Sequence, residues 1–403
     1  MMNSTRTNLR WVLLAVGMLG MLFSGVIYAW SILKTPLSAE FEWSASDLAV
    51  NFTITMSCFC IGGMAGSVLS KRIGCRAAII IAAILSGSGF ALSSVLDGSS
   101  VAMLYLSYGI ISGFGIGIAY NVIISSISAW FPDKKGICSG CLMMAFGASA
   151  LILGSLISGF IESPNIGWRK AYLILGISIS VVLLASALII RLPSGQISIP
   201  QKSADRKAAE GIELSPGEML KRVSFWLGFV CLVFMAALGN SIISFARDLS
   251  IFAGAGSTLA TSLVGIISIC NGAGRIITGM VFDAIGRRKT MLLANCVCIL
   301  AAATVLVGVV TEILPVFIAG LCLTGLSYGS CPLITSTFTM DFYGAKHFPV
   351  NFSLMNFNLM GASLMATVSS LVLTQSNSFV RPLILLLALT IVSLFLNLCI
   401  RKP

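Results

Sequence analysis

One residue stands apart chemically. Arg275 lies inside the apolar run Ser257–Phe282, about seven residues from its end. A guanidinium stays charged at any physiological pH, and its planar fork matches a carboxylate in two parallel hydrogen bonds. Placing such a charge inside a membrane costs ~2.5–3.5 kcal/mol even on the lenient insertion scale. An acidic partner would offset that cost. Yet none of the 14 Asp and Glu residues falls in the interior of an apolar run, and Asp47, Asp283 and Asp341 lie near run ends. Snorkelling or bonding to main-chain carbonyls are the remaining structural explanations. The reading that supplies the missing negative charge is a bound anion, with Arg275 as its anchor. Gly272 and Gly274 thin the helix around it, which suits a cavity and close helix packing alike.

The rest of the chain sets the environment of that arginine. It has 403 residues, 57% hydrophobic and 10% charged, against ~25% charged in soluble domains. A soluble enzyme, a disordered chain and a fibrous protein are excluded. Twelve runs reach the ~20 apolar residues that a helical span needs. They are Trp11–Leu33, Asp47–Leu69, Ala77–Val95, Val101–Ile127, Ile137–Ile161, Ala171–Ile190, Val223–Ala246, Ser257–Phe282, Thr290–Val309, Ile313–Thr337, Pro349–Leu373 and Pro382–Ile400. Their continuity excludes a transmembrane β-barrel. The first run reads as a retained span, because no small-residue cleavage site follows it. The fold class is therefore an all-α membrane protein with twelve transmembrane helices.

Charge orients the chain. With the N-terminus inside, 19 Lys and Arg fall on the inner side, five (Lys34, Arg169, Lys170, Arg247, Arg381) on the outer side, and the last is Arg275. Positive loops face the cytoplasm, so both termini are expected there, in a multi-pass protein of the cell membrane. This bias also explains the +11 net charge without a nucleic-acid partner. Most of the twelve cysteines lie within spans and read as small apolar side chains. Cys138 and Cys141 form a CxxC with no second Cys/His pair nearby, so neither zinc nor any cofactor is expected.

The two ends of the chain look alike. GSVLSKRIGCR over residues 66–76 follows span two, and GMVFDAIGRRK over residues 279–289 follows span eight, an offset of 213 between leading glycines. Gly113 to Gly117 in span four match Gly325 to Gly329 in span ten at an offset of 212, and Gly147 matches Gly361 at 214. Such agreement indicates a duplicated six-helix unit, as in many secondary transporters. The expected organisation is a six-helix half over 1–190, a polar linker over 191–222 and a second half over 223–403.

The paired loops after spans two and eight, the long central linker and the GWRKA entry to span six at 167–171 resemble the major facilitator superfamily. That resemblance implies two pseudo-symmetric halves and makes Lys71, Arg72, Arg76, Asp283, Arg287 and Arg288 gating-loop residues. One departure is Ser70, which stands where the first loop usually carries Asp. Within the superfamily, three segments resemble the oxalate:formate antiporter family and its monocarboxylate-porter relatives. They are YAWSIL at 28–33 with PLSAEF at 36–41, GFGIGIAYN at 113–121 with WFPDKKG at 130–136, and NGAGR at 271–275.

This narrower resemblance nominates a pocket. Tyr28, Tyr120, Phe146 and Tyr328 fall at or near aromatic binding positions of that family. A phenol can donate to a carboxylate, and rings can confine a small planar anion. Each ring can equally be packing or an interface anchor. Asn121, Asn240 and Asn271 are polar candidates near the same depth, or helix-to-helix hydrogen bonds. Oxalate transporters of the family carry a lysine in span eleven. Here the aligned position is Leu359, within a stretch free of Lys and Arg. One cation suits one negative charge, since an uncompensated second charge in low dielectric is costly. A monocarboxylate is therefore expected over oxalate.

No span holds a carboxylate relay for protons, and the one histidine, His347, precedes span eleven. Anion exchange and proton-linked transport both stay open. No Walker loop is present, the GxGxG of span four lacks a strand–turn–helix context, and a His-based triad has no support. No enzymatic activity is expected. The partners expected are a small organic anion and the lipid bilayer, with the monomer as the working unit. The competing readings are a carrier of a neutral or zwitterionic solute or drug with Arg275 structural, a channel, and a carboxylate sensor that moves nothing.

Overall fold

In hydrocarbon every main-chain polar group must be satisfied within the protein, which drives each apolar run into a helix. The computed structural model describes residues 2–131, 135–192, 213–344 and 347–401. Among the described residues, eleven helical stretches are long and apolar enough to cross a membrane. One of them, Ala45–Ser93, is broken at Gly74 (φ 86°, ψ 159°) and supplies spans two and three, giving twelve. Gly286 breaks the chain between spans eight and nine in the same way (φ 75°, ψ 171°). Backbone of this kind is essentially confined to glycine. The glycine shared by the two matched loops is thus the residue that lets each pair of spans part.

Span one covers Leu9–Phe41 and span four Val101–Ser128. Spans five and six are Gly140–Glu162 and Gly167–Ile189, followed by seven, Val223–Phe252, and eight, Ser257–Phe282. Spans nine to twelve are Arg287–Val310, Leu314–Tyr343, Val350–Ser376 and Val380–Cys399. Ser44 and Asp47 begin span two as a reciprocal cap, the Asp47 amide donating to Ser44 Oγ at 3.1 Å and the Ser44 amide to Asp47 Oδ2 at 3.2 Å. Two spans run further than the sequence suggested. Span one continues past Leu33 and carries Lys34 on its helix, and span seven continues past Ala246 and carries Asp248. Their side chains meet at 2.8 Å. Charges that mark loop positions in a sequence are held on helices here because each neutralises the other.

The duplication is visible in the packing. A Cβ on Gly113 would come 2.7 Å from the Thr55 carbonyl oxygen, and one on Gly325 would come 2.5 Å from the Ile267 carbonyl oxygen. Gly117 sits against the Phe59 carbonyl as Gly329 sits against that of Asn271, and Gly62 against Phe114 as Gly274 against Leu326. Each residue in these pairs has its counterpart 212 positions on. Spans two and four therefore cross as spans eight and ten do, main chain on main chain, through small residues.

The halves touch unevenly. Along spans five and eight the contact is continuous: a Cβ on Gly147 would lie 2.9 Å from the Ser268 carbonyl oxygen, and one on Gly272 would lie 3.2 Å from Met144 Cα. Away from the linker, Lys34 bonds Asp248 and the Thr53 hydroxyl donates to the Ser363 carbonyl at 2.6 Å. Residues 193–212 of the expected linker lie outside the described residues. Its part over 213–222 is tied to the last six spans: the Leu214 amide donates to the Tyr343 carbonyl, and Asn351 Nδ2 donates to the Leu214 carbonyl, each at 3.0 Å. Hydrogen bonds from Ser215 to the Glu218 carboxylate, which close a short helix there, hold that carboxyl below its ordinary range.

Candidate functional site

Span one is interrupted by a 3₁₀ turn over Gly25–Ala29. The turn presents Tyr28 to span five, where its ring meets Phe146 edge-on at 5.3 Å. Phe146 in turn meets Tyr120 at 5.0 Å, and Tyr120 meets Phe59 of span two at 5.1 Å. Four rings from four helices of the first half thus form one continuous aromatic wall.

Arg275 faces this wall from span eight. It is 5% exposed, and its Nε and Nη1 have no hydrogen-bond partner among the described residues. No carboxylate pairs with it among those residues. The phenols Tyr120, Tyr28 and Tyr328 surround it, with Tyr28 and Tyr120 within hydrogen-bond reach. A buried cation surrounded by neutral oxygens and π faces has an open requirement for negative charge.

Arg275 and the wall border a cavity of about 430 Å³. Gly63, Pro332 and Leu359 complete its deep end, and it runs towards the linker end past Asn121, Ser67, Ser70 and Lys71. Asn121 Oδ1 accepts from Ser67 Oγ at 2.8 Å. The Thr53 and Lys34 contacts join the halves at the end of the spans opposite Lys71.

Five of the eight nominated pocket residues line this cavity: Arg275, Tyr28, Tyr120, Asn121 and Phe146. Tyr328 stands behind Tyr28, with ring centroids 6.2 Å apart, and its hydroxyl donates to Asn240 Oδ1 at 2.5 Å. Asn271 has its main chain against Gly325 and Gly329, and its buried side-chain amide has no partner among the described residues. Of the loop residues, Lys71 lines the cavity mouth. Arg76 donates to the Ala187 and Leu188 carbonyls, each at 3.1 Å, and so caps span six. Arg287 pairs with Asp341 at 2.7 Å and lies over the Phe342 ring. Arg72 and Arg288 are exposed, and the side chain of Asp283 lies outside the described residues.

Phe59 and Gly63 were not nominated from the sequence. A signal for both was present: they are the 212-residue counterparts of Asn271 and Arg275. The position that carries a guanidinium in the second half carries a bare backbone in the first. That leaves room in front of the only cation at the deep end among the described residues.

The profile of the Major Facilitator Superfamily matches residues 12–367. The oxalate:formate antiporter of Oxalobacter formigenes is 28% identical over 288 residues, which cover 70% of this chain and 65% of that protein. Monocarboxylate transporter 12 of Mus musculus is 29% identical over 177 residues, covering 43% of this chain and 35% of that one. Among solved structures, a mutant of the nucleoside transporter NupG superposes with a TM-score of 0.73 at 14% identity, over 98% of this chain and 100% of that chain. At that identity the likeness is one of fold.

Proposed function

The chain belongs to the Major Facilitator Superfamily, and from that premise we propose that it is a secondary carrier of a small monocarboxylate of the formate, lactate or pyruvate type. The halves 1–190 and 223–403 rock about the cavity, which takes substrate alternately from each side of the cell membrane. Both termini are cytoplasmic, so the open end of the cavity is the cytoplasmic one. The observation that carries the proposal is Arg275: a buried guanidinium on a cavity wall, its Nε and Nη1 unpartnered and no acid paired with it among the described residues.

The roles follow from chemistry. Arg275 anchors the carboxylate with a charge-assisted fork. Tyr28 and Tyr120 offer hydroxyls beside it, and Phe59 and Phe146 confine the body of the substrate. Leu359 is the reason for preferring one negative charge over two: it lines the deep end where the family resemblance expects a lysine. The relatives named for oxalate, formate and monocarboxylates are consistent with an anion. Tyr328 and Asn271 act behind the pocket surface.

Counterflow in proteoliposomes tests this. Vesicles loaded with unlabelled formate, lactate, pyruvate or oxalate are assayed for uptake of the same labelled anion. Trans-stimulated, saturable uptake of a monocarboxylate without oxalate supports the proposal. Robust oxalate exchange refutes the one-charge argument. Absence of any carboxylate flux from folded protein returns Arg275 to a structural role and favours a neutral-solute carrier.

A further inference from the structure

Asn240 ties the pocket to the seal between the halves. It is fully buried on span seven. Its Nδ2 donates to the Leu359 carbonyl at 3.3 Å and to Ser363 Oγ at 3.0 Å. A carbonyl can only accept, so the amide orientation is fixed and Oδ1 must face Tyr328. The single proton of the Tyr328 hydroxyl is therefore committed to Asn240, at 2.5 Å. Towards Tyr28 and Arg275 that oxygen presents lone pairs only.

The other end of the connection is span eleven. Its helix is interrupted at Phe357, and a separate helix runs over Asn358–Ser376. The first turn of that helix puts the Leu359 side chain into the cavity and its carbonyl onto Asn240. One turn on, Ser363 accepts from Asn240 through its hydroxyl and from Thr53 of span two through its carbonyl, the latter at 2.6 Å. Thr367, a further turn on, lies 2.7 Å from the same Thr53 hydroxyl. One rigid element thus has its foot in the substrate cavity and its flank against the opposite half. Asn240 is the side chain that joins the foot to Tyr328, the ring behind Tyr28.

We propose that Asn240 is a positioning residue that couples occupancy of the Arg275 pocket to the Thr53–Ser363 seal. An anion on Arg275 takes up the hydrogen-bond donors around it and repels the lone pairs that Tyr328 presents there, shifts Tyr328, and so alters the hold of Asn240 on the Asn358–Ser376 helix. When that hold relaxes, the helix leaves Thr53 and the closed end opens. The proposal rests on the carrier reading for its ligand. The clamp itself makes a claim about the empty protein.

The test uses the full chain in nanodiscs with a reporter, Ser370→Cys, on the buried flank of the same helix (Ser370 is 2% exposed). Labelling by a membrane-impermeant thiol reagent is measured against the parent lacking the reporter. Formate, lactate, pyruvate and oxalate serve as probes, with binding of the labelled anion followed in parallel. Asn240→Leu removes the clamp at both ends, and Thr53→Val removes the far contact. Losing the two or three buried hydrogen bonds that these side chains make shifts such an equilibrium by about tenfold. Both variants are expected to raise reporter labelling by about that factor without any anion. In Asn240→Leu the responding anion should still bind but no longer change the labelling rate. Parent-like labelling in Asn240→Leu with an intact anion response overturns the proposal. So does a rise in Thr53→Val alone, because the seal would then exist without Asn240 holding it. If the unmodified reporter protein binds none of the four anions, the substrate reading fails and the anion-free rates still decide the clamp; an anion that binds without changing the labelling rate overturns the coupling.

Discussion

The ammonium of Lys34 meets the carboxylate of Asp248 at 2.8 Å, joining spans one and seven at the end of the bundle away from the cavity. The two partners are unequal: the Lys34 side chain is 7% exposed and that of Asp248 42%. Lys34 depends on Asp248 for its counter-charge far more than the reverse. The contact belongs to the same closed end as the Thr53–Ser363 hydrogen bond, and both must break if that end is to open.

The inequality predicts an asymmetry. Asp248→Asn strands a buried ammonium, whereas Lys34→Met leaves a half-exposed carboxylate that water can reach. Breaking a fully buried pair costs ~3–5 kcal/mol. With the solvent exposure of Asp248 discounted, Asp248→Asn should cost about 1–3 kcal/mol and Lys34→Met clearly less. Melting of the purified protein in detergent measures both. Equal losses, or the reverse order, would show that the burial difference does not govern this pair.

Arg275→Gln keeps much of the arginine's length and polarity and removes its charge. Saturable counterflow should vanish while the protein still reaches the membrane in normal amount. Arg275→Lys should retain weak transport with a raised KM, because a point charge replaces a fork. Undiminished saturable transport by the glutamine variant would remove Arg275 from the site.

Leu359→Lys places a second ammonium at the deep end of the cavity. Uptake competition should then move towards oxalate and away from formate and lactate. A folded variant with an unaltered substrate profile would mean that Leu359 does not stand where the related transporters carry their lysine.

Gly113→Ala drives a methyl group against the Thr55 carbonyl and Gly325→Ala drives one against that of Ile267. Each should lower stability by about 1–3 kcal/mol, the usual range for overpacking. Gly159→Ala is the matched control, since nothing lies within 4 Å of its Cβ position. Intact melting temperatures in the first two would show that spans two and four, and eight and ten, can separate freely.

The spans were legible because burial in hydrocarbon leaves a one-dimensional trace: ~20 apolar residues in a row. The duplication was legible at Gly113 and Gly325 because backbone-to-backbone approach admits only the smallest residues. The ends of spans one and seven were not. Lys34 and Asp248 look like loop residues until their pairing is known, and pairing over more than 200 positions leaves no local pattern. Arg275 was readable as a candidate, because its type alone demands an explanation in an apolar run, and it lines the cavity. Asn240 was readable only as a polar residue at a suitable depth. That its amide faces two helices at once depends on the break in span eleven at Phe357, which no glycine or proline at that position announces.

A fixed charge with no acid paired to it also has electrical consequences. With Arg275 as the only cation at its deep end among the described residues, the empty cavity carries one positive charge inside the membrane field, worth about 2.3 kcal/mol per 100 mV for a full crossing. A bound monoanion cancels it. Reorientation of the loaded protein is then nearly indifferent to membrane voltage, while reorientation of the empty protein must carry bare charge through low dielectric. On the proposed carrier reading, exchange of one anion for another is then expected to outpace return of the empty protein, with membrane potential acting chiefly on the return.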